Sequence, residues 1–281
     1  MTKSVRIAAW NVNSLKVRLP QVLRWLGEQA KADKPIDALC LQELKMSDDK
    51  YPHRELEAAG YLNLVAGQKT YNGVAIIVRR SALASMSSDI ETTFINPIRN
   101  IPGNADEQQR ILAATVCFSG LQPLRLVSAY FPNGQSPDSD KFAYKLGWLT
   151  ALENWLKVEL ANNPRLALLG DFNIAPSDID VHDPSKWIGQ NLVSVDERAA
   201  FQRLIDLGLS DSFRMFEQVP KSFSWWDYRM MGFRRNAGMR IDHILLSDAL
   251  KTKCSASLID KEPRKWEQPS DHAPIIAEIQ A

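Results

Sequence analysis

Short apolar runs alternate with amphipathic stretches along this chain, and the runs repeatedly end in polar side chains. The most informative run covers residues 166–169, four aliphatic side chains that stop at Gly170, a length that favours a buried strand over a buried helix. In an extended continuation, Asp171 and Asn173 point to one side while Phe172 turns back into the core. The pattern predicts paired oxygen ligands at a sheet edge, with an Asx turn as the alternative for these residues alone.

Other runs predict a layered arrangement of strands and helices. Strands are predicted over residues 5–11, 36–41, 61–66, 74–78, 110–117, 125–130, 240–246, 251–259 and 275–279. Helices are predicted over 18–30, with Pro20 in the first turn, over 53–59, over 140–160 and over 194–207, where Ser194 and Glu197 fit a capping box. Residues 96–109 are polar and irregular and predict a surface loop. Strands in both halves predict two packed sheets with helices outside.

Polar side chains follow or precede several of these strands. The first strand leads to Asn11 and Asn13, and the strand over 36–41 leads to Glu43. A carboxylate at a strand end is costly to bury unless a cation or hydrogen bonds accompany it, although a solvated strand end is the alternative for Glu43. The other polar residues at predicted strand ends are Tyr130, Asn133, Asp242, Asp271 and His272.

Composition narrows the class of protein. The 281 residues are 45% hydrophobic and 24% charged, with a net charge of +1, which excludes a globally basic binding surface. We find no apolar tract long enough to span a membrane and no export leader, so we expect a cytoplasmic protein. Cys40, Cys117 and Cys254 are far apart and odd in number, which suits a reducing compartment and gives no zinc motif.

Basic and aromatic side chains nevertheless cluster locally. Residues 223–228 are rich in aromatic side chains and are followed by four arginines around two methionines. This composition favours a nucleic-acid surface, with a core strand and a solvated loop as the alternative. A hairpin-like turn over 67–73 holds Lys69 and Tyr71 at its tip. The arginines are Arg229, Arg234, Arg235 and Arg240.

The polar strand ends offer carboxylate and amide oxygens and one imidazole, with no cysteine among them. Such donors suit a hard cation, Mg²⁺ or Mn²⁺, better than zinc. An Asp-His pair near a second Asp also supplies groups that activate water and stabilise charge on a phosphate oxygen. The sequence therefore favours metal-assisted phosphodiester hydrolysis. It contains neither a Gly-x-Ser-x-Gly elbow nor a P-loop.

Eight motifs, spread over the whole chain and in family order, resemble those of the bacterial exonuclease III family of abasic-site endonucleases, within the endonuclease/exonuclease/phosphatase superfamily. The motifs are WNVNS at 10–14, LQELK at 41–45, YNGVA at 71–75, YFPNG at 130–134, GDFNIAP at 170–176, WDYR at 226–229, RIDHIL at 240–245 and PSDHAP at 269–274. The resemblance implies an α/β fold, a four-layered α/β sandwich of two packed mixed β-sheets flanked by helices, formed as a single catalytic domain over residues 1–281.

The same resemblance implies a Mg²⁺-dependent DNA-repair phosphodiesterase, an exodeoxyribonuclease III-type hydrolase for which Mn²⁺ can substitute. Its implied partner is double-stranded DNA with abasic sites or blocked 3′ ends, on which it would act as a monomer. It would cleave 5′ to abasic sites and carry 3′-phosphatase, 3′-phosphodiesterase and 3′→5′ exonuclease activities. The alternative is a phosphatase or phospholipid phosphodiesterase of the same superfamily, which should lack the WDYR and YNG motifs.

Roles for individual residues also come from the resemblance. Asp171 would orient or deprotonate the attacking water, Asn173 would hold it, and His272 would bind the scissile phosphate. The implied catalytic set is Tyr130, Asp171, Asn173, Asp242 and His272. The implied metal set, with Glu43 as the main ligand, is Asn11, Glu43, Asp171, Asn173, Asp271 and His272. The implied substrate-binding set is Lys45, Lys69, Tyr71, Asn133, Trp225, Arg229, Met239 and Ile241.

Two features depart from or vary within the family pattern. Asn13 stands where many relatives carry Asp, which removes a charge and would weaken a second metal position. Trp225, Met239 and Ile241 occupy positions that vary among relatives. We expect these three side chains to form a pocket for a base-free sugar, with ordinary core packing as the alternative.

Overall fold

Two six-stranded sheets form the centre of the structure, a computed structural model that describes residues 4–85 and 89–281. The strands are β1 (Ser4–Asn11), β2 (Ala38–Gln42), β3 (Tyr61–Ala66), β4 (Val74–Arg79), β5 (Ile95–Arg99), β6 (Ile111–Val116), β7 (Leu124–Tyr130), β8 (Leu166–Asp171), β9 (Leu209–Asp211), β10 (Asp242–Ser247), β11 (Cys254–Ile259) and β12 (Ile275–Gln280). The helices are α1 (Leu15–Lys31), α2 (His53–Ala58), α3 (Ile90–Thr93), α4 (Asp140–Asn162), α5 (Val195–Asp206) and α6 (Asp248–Lys251).

Each sheet contains one parallel pair of strands. The first sheet has the order β11-β12-β1-β2-β4-β3, and the second has the order β5-β6-β7-β8-β10-β9. Strands β1 and β2 are parallel and are joined through α1, whereas β7 and β8 are parallel and are joined through α4. The remaining pairs of neighbours are antiparallel. The sheets are therefore mixed, as the resemblance implied.

Three apolar clusters show how the layers pack. One cluster lies between the sheets and includes Ile7, Ile76, Leu126 and Ile244. A second joins the outer face of the β7–β8 sheet to α4 and α5, and a third joins the outer face of the β1–β2 sheet to α1 and α2. The layers follow the order helix, sheet, sheet, helix, which confirms the predicted four-layered α/β sandwich. Among the described residues, no helix is both long and apolar enough to traverse a bilayer.

The topology brings strand ends from both sheets to one edge of the sandwich. Asn11 ends β1 and Asp171 ends β8, while Glu43 directly follows β2. Antiparallel β10 begins at Asp242, which pairs with Asp171 in the strand register. His272 lies just before β12, which pairs antiparallel with β1. Carboxyl ends of parallel strands and amino ends of their antiparallel neighbours thus converge, which is where open α/β sheets commonly place ligands.

Most predicted elements are present, with three corrections. The first helix begins at Leu15 rather than near residue 18, so Pro20 lies on an exposed face in the second turn. Residues 96–109 are not wholly a loop, because β5 pairs there with β6 along the edge of the sheet. An edge strand needs partners on one side only and tolerates Pro97, so it lacks a clear apolar period. Strand β9 is a three-residue edge strand that no pattern indicated.

Candidate active site

A buried carboxylate lies at the centre of the convergent strand ends. Asp171 is 1% exposed. Its Oδ2 accepts a hydrogen bond from Asn11 Nδ2 at 2.8 Å, and its Oδ1 accepts one from the backbone N–H of Asn173 at 2.9 Å. Burial raises the pKa of Asp171 to about 7 against the opposing charge of His272, and Asp242 adds to the increase. A carboxyl group with this pKa can accept a proton near neutral pH.

An Asp-His pair faces this carboxylate. His272 Nδ1 lies 2.9 Å from Asp242 Oδ2, and His272 Nε2 lies 3.8 Å from Asp171 Oδ2. Burial lowers the pKa of His272, but the charges of Asp242 and Asp171 outweigh it and raise the pKa to about 10. The ring is therefore an imidazolium at neutral pH, held by Asp242 and able to donate from Nε2 to an anionic oxygen.

Glu43 closes the site on its more open side. Its Oε1 accepts from Asn11 Nδ2 at 2.7 Å, and its Oε2 lies 2.9 Å from Lys45 Nζ. Glu43, Asp171 and His272 each offer a ligand atom within 4.8 Å of the others. The two carboxylates fit a hard divalent cation, whereas the protonated ring of His272 has no free nitrogen lone pair to offer it. Asn11 instead directs its NH₂ group at both carboxylates, because its oxygen accepts from the N–H of Asn13 at 2.9 Å.

Asp271 lies beside this group rather than within it. Its two oxygens accept hydrogen bonds from Asn13 Nδ2 at 2.9 Å and from Trp225 Nε1 at 3.0 Å. Burial raises the pKa of Asp271, but His272 and these two donors hold it below its usual value. Lys45 Nζ lies 2.5 Å from Asn13 Oδ1. Asp271 thus has two neutral donors as partners, while the Asn13 amide that supplies one of them accepts from Lys45.

Tyr130 and Asn133 form the wall next to Glu43 and Asn173. Asn133 Nδ2 donates to Asn173 Oδ1 at 3.0 Å. The Arg110 guanidinium carbon lies 4.9 Å from the centre of the Tyr130 ring. Burial raises the pKa of Tyr130 well above its ordinary value, and the charge of Glu43 adds to the effect. Tyr130 is therefore a neutral hydroxyl at physiological pH.

Two cavities flank these residues. We call the first the polar groove; its volume is about 770 Å³, and its wall includes Glu43, Lys45, Tyr71, Gln108, Arg110, Tyr130, Asn133 and Lys141. We call the second the aromatic slot; its volume is about 280 Å³, and its wall includes His182, Lys186, Trp187, Trp225, Arg235 and Met239. Both contain cationic side chains, as a site for a polyanion requires.

The residues expected to bind substrate fall into three groups. Lys45, Tyr71 and Asn133 line the polar groove, and Trp225 and Met239 line the aromatic slot. Ile241 is 2% exposed and packs in the apolar cluster beneath the slot. Lys69 is exposed on the turn between β3 and β4 but does not line the groove, and Arg229 is paired with Asp227 on the surface with its side chain 86% exposed.

The expected basic surface needs a correction at Arg240. Its side chain is 1% exposed, and its Nε lies 2.6 Å from Asp180 Oδ1 while its Nη2 lies 2.7 Å from Asp211 Oδ2. It is a buried structural cation, because two acids from distant segments enclose it. Trp226 is also completely buried, so only part of the aromatic stretch faces solvent.

Sequence reasoning missed several residues around the site. Gln108 and Arg110 line the polar groove although the preceding loop carried no recognisable motif. His182 lines the aromatic slot from the loop after β8. Lys145 is completely buried on α4, where its charge interrupts an otherwise largely apolar buried face. That interruption was the one signal in the sequence that could have identified Lys145.

Comparisons with known proteins agree with this arrangement. The model of the endonuclease/exonuclease/phosphatase family matches residues 8–272. Exodeoxyribonuclease III of Haemophilus influenzae is 35% identical, over 98% of this chain and 100% of that protein. The structure of a 3′ phosphatase from Neisseria bound to a product DNA hairpin is 43% identical, with a TM-score of 0.88 over 99% of this chain and 100% of that one.

An AP endonuclease structure from Archaeoglobus fulgidus is 31% identical to this protein. It has a TM-score of 0.86 over 99% of this chain and 100% of that one. The sequence and the fold thus agree along nearly the whole length of both chains. The protein belongs to the endonuclease/exonuclease/phosphatase family and, within it, to the exonuclease III-type AP endonucleases that the sequence motifs indicated.

Proposed function

We propose that this protein is a Mg²⁺-dependent DNA-repair hydrolase that cleaves phosphate esters at blocked 3′ ends and 5′ to abasic sites, with 3′→5′ exonuclease activity. One observation carries the proposal. A buried Asp171 carboxylate with a raised pKa lies 3.8 Å from the Nε2 of an imidazolium that Asp242 holds, beside the more exposed Glu43. The names of the relatives, which include a nuclease, a 3′ phosphatase and an AP endonuclease, support the same chemistry.

The side chains divide the reaction between them. Asp171 orients the attacking water and can take its proton, and Asn173, which donates from Nδ2 to the carbonyl of Phe131 at 3.1 Å and to Asp171 Oδ2 at 3.3 Å, holds that carboxylate in place. His272 donates from Nε2 to a phosphate oxygen and stabilises its growing charge. The carboxylates of Glu43 and Asp171 would hold Mg²⁺. A bound Mg²⁺ supplies positive charge that neutralises a phosphate oxygen and orients the ester.

The flanking cavities support a DNA substrate. Lys45 and Lys141 line the polar groove and can pair with backbone phosphates, while the buried Arg110 donates to Gln108 and to the carbonyl of Tyr130. The aromatic slot is the proposed receptor for a base-free sugar. A nucleotide without a base leaves the stack more readily than an intact one, so a slot that accepts only the sugar would select it. Removal of a 3′-phosphate, the other proposed activity, does not require the aromatic slot.

The experiment uses two labelled duplexes, one with an internal abasic site and one with a 3′-phosphate at a nick. Each is incubated with the protein in Mg²⁺ and in EDTA, with inositol phosphate and sphingomyelin as competing substrates. We expect cleavage of DNA that EDTA abolishes and no hydrolysis of the other two compounds. No DNA cleavage in Mg²⁺, together with hydrolysis of either competitor, would refute the proposal in favour of the alternative phosphatase or phospholipase.

Two variants test the Mg²⁺ ligand and the sugar-binding slot separately. Glu43→Gln should raise the Mg²⁺ concentration for half-maximal cleavage, because one anionic ligand is lost. Trp225→Ala should lower cleavage at the abasic site relative to removal of the 3′-phosphate, with little change in Tm. If Trp225→Ala leaves the ratio of the two activities unchanged and lowers Tm strongly, Trp225 is a core residue. The proposed sugar-binding role of the aromatic slot would then be wrong.

A further inference from the structure

A buried lysine lies directly behind the two asparagines of the candidate active site. Lys145 is on the core face of α4 and is completely buried, as is the side chain of its ion-pair partner Glu197 on α5. Its neighbours on that face are apolar, among them Phe142 and Leu149. A buried ion pair is seldom more stabilising than apolar side chains of similar volume, so stability alone does not account for a lysine here.

The three N–H donors of the ammonium have three acceptors. Lys145 Nζ donates to the backbone oxygen of Asn173 at 2.7 Å, to that of Asn133 at 3.1 Å, and to Glu197 Oε1. The two carbonyl groups belong to the residues whose side chains meet at 3.0 Å in the site wall. One cation thus fixes the peptide groups that follow both asparagines.

Both peptide groups need such a partner because the chain leaves its strands there. Asn173 has a φ of +50°, in the left-handed region, so its carbonyl leaves the β8 ladder. Gly134 follows Asn133 with a φ of +90°, and a Cβ at that position would lie 3.0 Å from Lys145 Cδ. The glycine therefore lets the loop pass closely over the lysine side chain.

Glu197 extends the same contacts to a third loop. Its Oε1 also accepts from the N–H of Leu192 at 3.1 Å, and its Oε2 accepts from the N–H of Ser194 at 3.0 Å. The carbonyl of Leu192 in turn accepts from the N–H of Ala175 at 2.7 Å, just beyond Asn173. Next to Leu192, Asn191 Nδ2 donates to Asn133 Oδ1 at 3.1 Å. The ion pair joins the loops at 131–135, 172–175 and 191–194.

We propose that Lys145 is a positioning residue for hydrolysis, which holds Asn133 and Asn173 in register with Asp171 through their backbone carbonyls, while Glu197 holds Lys145. The inference rests on the proposed function. Lys145 would thus affect the rate of hydrolysis although it does not touch the substrate. Misplacement of reacting groups by about 1 Å can lower a rate about 100-fold, so the effect should be large and should fall on kcat.

Another buried ion pair, between Arg125 and Glu159, is a matched control. Arg125 Nε lies 2.9 Å from Glu159 Oε2, and the two side chains are 2% and 8% exposed. Arg125 also donates to a backbone carbonyl, that of Asn96, at 2.7 Å. It lies near the start of β7, five residues before Tyr130 and therefore roughly 16 Å along the strand from the site edge.

The test compares Lys145→Met, Glu197→Gln, the double variant and Arg125→Met by Tm and by kcat and KM on the 3′-phosphate duplex. We expect Lys145→Met and Arg125→Met both to lower Tm, by roughly 10 °C, because each leaves an unpaired buried carboxylate. Lys145→Met should also lower kcat of the folded protein about 100-fold with KM changed less than about threefold. Arg125→Met should leave kcat unchanged.

The double variant separates positioning from stability. Removing both charges should recover most of the lost Tm, yet kcat should stay low because the two carbonyls still lack their donor. Glu197→Gln alone, which keeps that donor, should retain more activity than Lys145→Met. If Lys145→Met does not fold, kcat of the double variant alone tests whether Lys145 positions the two asparagines.

A double variant with wild-type kcat would overturn the inference, as would equal kcat values for Lys145→Met and Arg125→Met. If the wild-type protein cleaves neither duplex, it is the proposed function that fails. A crystal structure of the double variant then tests the positioning directly. The inference predicts that the 3.0 Å contact between Asn133 Nδ2 and Asn173 Oδ1 is lost, and an unchanged contact overturns it.

Discussion

Two buried histidines lie on opposite faces of strand β10, and the charges around them have opposite signs. His272 packs against Asp242, the first residue of the strand, and His243 is the next residue of the strand. On the site side, His272 lies against Asp242 and near Asp171, which raise its pKa to about 10 although burial lowers it. On the other side, burial and the charge of Arg240 lower the pKa of His243 to about 4. Both rings are almost completely buried. Burial thus pushes both pKa values in the same direction, and the sign of the nearest charge decides the outcome.

Hydrogen bonds show the same contrast. Arg240 Nη1 lies 2.9 Å from His243 Nδ1, and since a guanidinium can only donate, Nδ1 accepts and Nε2–H donates to the carbonyl of Ile174 at 2.9 Å. His243 is therefore a neutral ring with both nitrogens satisfied. His272 has one nitrogen committed to Asp242 and the other directed at the site. The comparison teaches that a free donor, rather than burial, marks the functional histidine.

The largest expected effect comes from removing the charge of Asp171. Asp171→Asn should keep the fold but lower kcat by about 10³–10⁴-fold, because the variant cannot take a proton from water. Asp180→Asn is the matched control, since Asp180 is also 1% exposed and lies on the His243 side, where Arg240 lowers its pKa to about 2 despite burial. The control should lose stability and keep kcat. Steady-state kinetics and Tm for both variants check this, and equal kcat values would contradict it.

The next effect concerns the cation on the His243 side. Arg240→Met should lower the free energy of unfolding by about 3–5 kcal/mol, because Asp180 and Asp211 would remain buried without their partner. Arg229→Met removes an exposed guanidinium paired with Asp227 and should leave the free energy of unfolding nearly unchanged, because solvent screens that pair. Denaturant unfolding of the two variants measures the difference. Similar losses would mean that Arg240 is not a structural cation.

A smaller effect is expected for the partner of the other histidine. Asp242→Asn should lower kcat about 100-fold, or about 2.7 kcal/mol, because His272 loses the carboxylate that keeps it charged and oriented. Its matched control is Asp211→Asn, which removes a carboxylate 3.9 Å from His243. That control should leave kcat within about threefold of wild type. A similar kcat for both variants would remove Asp242 from the proposed mechanism.

The smallest effect is a pH dependence from His243. Its folded-state pKa, about 4, lies below the usual 6.5, so the unfolded chain takes up a proton that the folded protein refuses. Stability from this group is complete above pH 6.5 and falls as the pH decreases towards 4; between pH 8 and 5 the loss is about 2 kcal/mol. The stability difference between wild type and His243→Gln should shrink by that amount over this interval. Urea unfolding at both pH values tests this, and a constant difference would contradict it.

Local patterns were sufficient to predict most strands and the polar side chains at the strand ends that meet at one edge of the sandwich. Alternation placed Asp171 at the sheet edge and Phe172 in the core, where it is completely buried. Both hydrogen bonds of the capping box are present, one accepted by the Ser194 side chain and one accepted by the Glu197 side chain. These features depend on residues close together in the chain, so their physical causes are visible in the sequence.

Partners from distant segments could not be predicted in the same way. Arg240 and Arg229 occupy one basic stretch, yet the acid that buries Arg240 lies 60 residues away. Lys145 lies on the apolar face of α4, and its partner Glu197, 52 residues away, allows its charge to be buried there. The charge state of each group depends on which sheet and helix pack over it, which the sequence pattern does not specify.

The junction of β1 with β12 unites distant parts of the chain. Trp10 Nε1 donates to the carbonyl of His272 at 3.2 Å, across a sequence separation of 262 residues. During synthesis, Asn11 and Glu43 leave the ribosome long before His272 does. A nascent polypeptide therefore carries an incomplete set of hydrolytic groups until its C-terminal strand pairs with its N-terminal one. Translation itself would keep this nuclease inactive beside nucleic acid until the fold closes.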